Sequence, residues 1–341
     1  MTSREFAKML GVSQSTISRA LNGSTLVPDE KRHFIQQKAR EVGFILNSQA
    51  KSLRTQKTGT IGILFPKHFI SMSANRMLAH LYDCIQQEMH KYNYDVMTVY
   101  SSAVNNDFSS FERIVRARKV DGFLVMRMEI SKEELELVKS DRVPCIFMMN
   151  AGDKIYNSLN YLFSDSEYGG YLAGRYFGKF PKYRKLFITV YEEKRDARRR
   201  REGFERGLSE FDCQLADEDI LYCNLGVDSA YQCIMKNKQL IKSGKVAIFS
   251  YSDTLAIGVL NACLDLGCRV PEDVQLISMD DIPCVAEIHP SLSTLHIPVE
   301  EMVSESCSLL VDLIDGKKRK RVQKWLHPNL VLRDTTINIE S

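Results

Sequence analysis

No run of about eighteen apolar residues exists in this chain, and its first ten residues, MTSREFAKML, lack the apolar stretch of a signal peptide. Neither a membrane span nor an export signal is expected, so the chain is read as cytoplasmic. The nine cysteines are odd in number and none form a CxxC pair, which excludes a disulfide framework and leaves reduced, mostly buried thiols. The seven histidines show no HExxH and no spacing that builds a zinc site. No GxGxxG follows an apolar strand and no GxxxxGK[ST] occurs, so no nucleotide cofactor is signalled and none is expected. Nucleophile–base pairs and paired carboxylates are likewise absent at any legible spacing, which argues against an enzyme.

What is present begins with charge. Residues 1–60 carry ten Lys and Arg against four Asp and Glu, whereas the other 281 carry 36 against 39. A basic head on a slightly acidic body suits phosphate contact localised at one end. Within that head, residues 7–22 read AKMLGVSQSTISRALN. Ala7 lets two helices approach, Gly11 supplies the positive φ of a tight turn, Val12 packs under it, and Ser13 caps the next helix. In that helix, 14–21, Ile17, Ala20 and Leu21 face inward. Gln14, Ser15, Ser18, Arg19 and Asn22 are left to point away, a polar face suited to base edges in a major groove. The bland alternative is a surface helix of a small bundle.

Thr2 and Glu5 make a capping box for a first helix running to Leu10, with Phe6, Met9 and Leu10 inward. Pro28, Asp29 and Glu30 start a third helix with an apolar stripe of Phe34, Ile35, Ala39 and Val42, ended by Gly43. Asn47 then caps a short helix over 48–54 whose apolar side chains are Ala50 and Leu53. So short a helix is marginal alone and needs a partner helix and DNA beside it; the plainer reading is a linker. An exposed leucine there suits wedging between base pairs.

From Gly59 the period changes. Apolar runs at 60–65, 95–100, 122–126, 145–149, 186–190, 246–249 and 274–279 alternate with amphipathic segments at 76–92, 166–177, 198–210, 228–241 and 254–266. This pattern predicts parallel sheets with helices on both faces, in two lobes with ligands at the carboxyl ends of strands.

The head block 11–22, the segment Asn47-Ser-Gln-Ala-Lys-Ser-Leu-Arg54 and the body blocks at 120–123, 201–204, 251–258, 279–281, 292–294 and 326–333 together resemble the LacI/GalR family of bacterial transcription regulators over the whole length. The fold implied is an all-α helix-turn-helix head plus an α/β two-lobed, periplasmic-binding-protein-like body. Its parts would be a DNA-binding head at 1–46, a hinge helix and linker at 47–58, and an effector-binding and dimerisation domain at 59–341. The lobes of that domain would be 59–161 plus about 292–322, and 162–291 plus about 323–341.

The resemblance implies a homodimeric repressor reading a pseudo-palindromic double-stranded DNA operator, controlled by a small metabolite held between the lobes. The DNA contacts it implies are Thr2, Ser13, Gln14, Ser15, Ser18, Arg19, Asn22, Asn47, Ala50, Lys51, Leu53 and Arg54. At the effector site Arg200 falls at the family's binding arginine, Asp280 at its strand-end aspartate and Phe163 at an apolar wall. Ser252, with Asp253 beside it, stands where sugar-binding members usually have Asn. Met126, Met149 and Ile297 replace polar residues, which removes partners that a neutral sugar's hydroxyls need when buried. The implied ligand is a sugar or sugar derivative less rich in hydroxyls than a free sugar, or a charged one (a sugar phosphate or sugar acid) held by Arg200 and Arg127. Control by a protein co-regulator docking on the body is the alternative.

Overall fold

Three short helices form the head: α1 (Ser3–Met9), α2 (Gln14–Leu21) and α3 (Asp29–Glu41). The capping box closes as the sequence indicates, with Glu5 N–H donating to Thr2 Oγ1 at 3.3 Å and Thr2 N–H to Glu5 Oε2 at 2.8 Å. Gly11 takes φ +62°, the turn conformation that favours a residue without Cβ. The core gathers Phe6, Ala7, Ile17, Ala20, Val27, Ile35, Ala39 and Phe44, with Phe6 stacked on Phe44 at 4.3 Å. Met9, Phe34 and Val42, expected inward, are exposed. Phe44, past the Gly43 turn, fills the space instead, so α3 buries only the narrow Ile35–Ala39 row.

The computed structural model describes residues 1–21, 23–45, 57–65, 75–100, 110–126, 132–140, 143–148, 159–191, 195–317 and 320–338. The expected hinge helix, with Asn47, Ala50, Lys51, Leu53 and Arg54, lies outside these residues, as do Asn22, Arg127 and Met149.

The body is built on two six-stranded sheets. The first comprises β1 (Thr60–Phe65), β2 (Asp95–Tyr100), β3 (Gly122–Val125), β4 (Cys145–Phe147), β5 (Asn160–Ser164) and β11 (Gln323–Leu326), in the order β11-β5-β4-β3-β1-β2. All its pairs are parallel, with Thr60 opposite Asp95 and Ile61 opposite Gly122. Its helices are α4 (Arg76–Lys91), α5 (Ser110–Arg116), α6 (Lys132–Ser140) and, near the C-terminus, α12 (Val299–Ile314). Asp121 pins the start of β1, accepting from Thr58 N–H at 2.6 Å and Gly59 N–H at 2.8 Å.

The second sheet comprises β6 (Arg184–Val190), β7 (Ile220–Cys223), β8 (Val246–Ser250), β9 (Val274–Asp280), β10 (Ser293–His296) and β12 (Asn329–Val331), ordered β12-β10-β9-β8-β6-β7. Only the β10–β12 pair is antiparallel. Around it lie α7 (Ser166–Gly178), α8 (Arg195–Ser209), α9 (Val227–Lys236), α10 (Lys238–Lys242) and α11 (Asp253–Asp265). The segment 228–241, expected as one helix, breaks at Asn237 into α9 and α10.

Sheet membership moves the lobe edges. β5 and β11 belong to the first sheet and β10 to the second, so the chain crosses between lobes after Ser164, His296 and Leu326 rather than after 161, 291 and 322. These three strands are short and interrupted by polar residues, so no apolar run marks them in the sequence.

α7 and α8 touch backbone to backbone. A Cβ on Gly170 would overlap the carbonyl oxygen of Arg200, one on Gly174 that of Phe204, one on Gly203 that of Glu167 and one on Gly207 that of Tyr171. No side chain could yield at such a contact, so two glycines on each helix are sterically required. Replacing Gly203 with Ala is therefore expected to destabilise the body by about 1–3 kcal/mol, the usual cost of overpacking. Thermal unfolding would show a lowered Tm, whereas an unchanged one would mean the helix pair can part without penalty.

Candidate functional site

Two sites are assembled from different ends of the chain. At the head, Ser13 caps α2, its Oγ accepting from Thr16 N–H at 3.1 Å and lying 2.8 Å from Ser15 Oγ and from Thr16 Oγ1. Gln14, Ser15 and Arg19 are exposed and Ser18 half-buried. Thr2 is exposed but has its hydroxyl committed to the α1 cap. A shallow concavity at the start of α2 is lined by Arg4, Ala7, Lys8, Val12 and Gln14. Arg4 and Lys8 add positive charge beside the polar face of α2. The sequence reading passed over them because single surface lysines and arginines carry no pattern of their own.

The second site lies at the carboxyl ends of the second sheet's strands. Arg200 is buried on α8, and its Nη1 donates to the backbone oxygen of Tyr251 just beyond β8. Its Nη2 lies 3.8 Å from Asp280 Oδ1 and 3.9 Å from Asp196 Oδ2, and its guanidinium sits 4.5 Å from the centre of the Tyr251 ring. Tyr251 O–H in turn donates to Asp196 Oδ2 at 2.7 Å. Burial works against the charge of Arg200, but Tyr251, Asp280 and Asp196 outweigh it and hold its pKa above the usual value. Burial pushes the Asp280 carboxyl well up, with Arg200 opposing and Asp253 adding to the rise. Tyr251 is raised by burial and by the Asp196 charge.

Among the described residues, the buried polar atoms Arg200 Nε and Asp196 Oδ1 have no hydrogen-bond partner here. Ser164 Oγ at the end of β5 and Thr189 Oγ1 near the end of β6 are in the same condition. Asp280 takes φ +132° and Asp281 φ +58°, conformations costly for residues with a Cβ and concentrated at functional sites. The kink sends the neighbouring carboxylates to different partners. Asp280 meets Arg200, whereas Asp281 binds Arg333 at 2.7 Å and His296 at 2.9 Å.

Other expected effector residues are used differently. Ser252 caps α11, accepting from Leu255 N–H at 3.4 Å. Asp253, fully buried, accepts from the Ser278 hydroxyl, from Thr294 Oγ1 at 2.7 Å and from Ile282 N–H at 2.8 Å, so both its oxygens brace β9, β10 and the segment between them. Phe163 is buried against Tyr161 at 4.4 Å and Trp325 at 5.7 Å. Met126 and Ile297 lie in the main apolar core. Asp196 and Tyr251 were missed, because nothing in sequence shows that α8 delivers Asp196 and Arg200 to the end of β8.

Next to Arg200, Arg199 points elsewhere. It reaches Asp165 at 3.5 Å and Glu167 at 3.4 Å and lies 4.6 Å from the centre of the Trp325 ring on the first sheet. Asp165 caps α7 through Tyr168 N–H and lies 3.5 Å from His327. Two crossings between lobes therefore meet at one carboxylate.

Burial raises the Asp253 pKa from 3.8 to about 6. In that interval the folded chain holds a proton that the unfolded chain has released, so this residue's contribution to stability falls as pH rises from 3.8 to about 6. Comparing Tm against pH for the wild type and Asp253→Asn should show the wild type losing relative stability across that window. Parallel curves would mean the carboxyl is ionised throughout.

Residues 183–336 match the family described as the periplasmic binding protein-like domain. The HTH-type transcriptional repressor PurR of Vibrio vulnificus is 26% identical over 339 residues, covering 99% of each chain, and that of Mannheimia succiniciproducens 25% identical over 338 residues with the same coverage. Among solved structures, the lac repressor dimer bound to operator and the anti-inducer ONPF superposes with a TM-score of 0.79 at 20% identity, covering 99% of each chain. A LacI family regulator from Enterococcus faecium with bound ribose gives 0.69 at 24% identity, covering 81% of this chain and 98% of that one. The curated relatives carry the name of transcriptional repressors, and a helical head on a two-sheet body is the fold of the lac repressor: over nearly its whole length the chain is similar to transcription regulators of the LacI/GalR family.

Proposed function

We propose that the chain is a homodimeric repressor that reads a pseudo-palindromic operator through α2 and releases or grips it according to a small metabolite at the strand ends. The observation that carries the effector reading is the pair of buried polar atoms without a partner among the described residues, Arg200 Nε and Asp196 Oδ1, beside the carboxyl of Asp280. Buried polar groups are costly to leave unpaired, so a ligand that offers both donors and acceptors is favoured there. Sugars and sugar derivatives do so through their hydroxyls. The acidic partners Asp196 and Asp280 already balance Arg200, which favours a neutral ligand over a sugar phosphate or sugar acid. Relatives with bound ribose and with cellobiose support the class.

In this reading Gln14, Ser15 and Arg19 contact bases while Arg4 and Lys8 contact phosphates.

Ligand-dependent melting of the chain against neutral sugars, sugar phosphates, sugar acids and nucleobases tests the effector. A shift of several degrees with neutral sugars, lost in Arg200→Gln, is expected. A shift with anionic compounds alone would overturn the neutral-ligand reading, and no shift at all would favour a protein co-regulator. At the head, Arg19→Ala should lower discrimination between operator variants by roughly 1–3 kcal/mol, the worth of a bidentate base contact. Unchanged discrimination in binding titrations would confine Arg19 to the phosphates.

A further inference from the structure

On α4, His80 and Cys84 stand four residues apart and so project from one face of the helix. Glu300 stands in the first turn of α12, which packs against α4. His80 Nε2 lies 3.5 Å from Glu300 Oε1, and Cys84 Sγ lies 4.0 Å from Nε2 and 3.9 Å from Nδ1 of the same ring. One potential ligand atom from each of the three residues falls within 4.8 Å of the others. No other group of three such side chains converges in this way among the described residues.

A tetrahedral zinc ion with bonds of about 2.0–2.3 Å holds its nitrogen, oxygen and sulphur ligands about 3.4–3.6 Å apart. The His80–Glu300 spacing already has that value, and the sulphur needs to close about half an ångström on the imidazole and, with the three ligand atoms spanning up to 4.8 Å, about an ångström on the carboxylate, within reach of side-chain rotations. By contrast, 3.5 Å is long for a charge-assisted hydrogen bond, which settles at about 2.7–2.9 Å. The spacing therefore admits one ion bound to both side chains. A set of imidazole, thiol and carboxylate selects a borderline-soft transition metal over magnesium or calcium.

We propose that His80, Cys84 and Glu300 bind a zinc ion, with a water in the fourth position. The site is separate from the strand-end cluster and does not depend on the effector reading. Glu300 lies just past the crossing that follows His296, so an ion here fastens that crossing to α4.

The test uses the full-length chain, reduced and freed of metal with a chelator, then titrated with cobalt and back-titrated with zinc. One equivalent of cobalt should produce a thiolate-to-cobalt charge-transfer band and tetrahedral d–d bands, which zinc abolishes. Cys84→Ser should remove the charge-transfer band. His80→Ala and Glu300→Gln should each weaken cobalt binding by more than the roughly 10–100-fold that loss of a mere supporting partner costs. Glu300 is exposed, so its Gln variant keeps the fold, and the melting curve of each variant checks this. A charge-transfer band that persists in Cys84→Ser would place the metal on another of the cysteines and overturn the proposal. So would the absence of any band in the wild type, or unaltered affinity in Glu300→Gln.

Discussion

The contact between α7 and α8 governs how the body is arranged around its site. Two glycines on each helix let the backbones meet, and α8 carries Asp196 and Arg200 on one face of its first turns with Arg199 beside them. With no side chains between the helices, α8 has little freedom to slide or roll over the second sheet. Its two neighbouring arginines are therefore fixed in opposite tasks. Arg200 enters the strand-end cluster, while Arg199 reaches over to Trp325 on the first sheet and to Asp165 at a crossing between lobes. One helix thus touches both the second lobe's strand-end cluster and the strands that connect the lobes.

Electrostatics at this site are those of a region short of water. Asp253 is buried yet satisfied, holding two hydroxyls and a backbone amide, so it acts as a brace. Asp280 and Asp196 share one arginine and retain capacity for further partners. The positive φ values at Asp280 and Asp281 keep the two adjacent carboxylates apart, and the arginines at 200 and 333 take one each. Such strain persists only where the surroundings over-determine it.

Much of this was legible in advance because it rests on local rules. The capping box at Thr2 and Glu5, the Gly11 turn and the span of α2 follow from side chains acting within a few residues of themselves. Strands β1 and β3 stood out because central parallel strands read as unbroken apolar runs. The short strands β5, β10 and β11 did not, since residues such as Asn160, Ser293 and Lys324 interrupt them. Arg200 and Asp280 were named through resemblance. Their partner Tyr251 was not, because its part is played through a backbone oxygen and a ring face that no residue type advertises.

By itself the sequence determined the basic helix-turn-helix head, the alternation that builds parallel sheets, and the family that both resemble, because periodicity, capping and turn chemistry act over a few residues. Only the tertiary structure decided where the lobes divide, which of the consecutive arginines is buried, and that Asp253 serves as a brace. Those outcomes depend on crossings and strand ends that bring residues 165, 199 and 325, or 196, 200, 251 and 280, within a few ångströms of one another. Separation along the chain hides such neighbours until the sheets are formed.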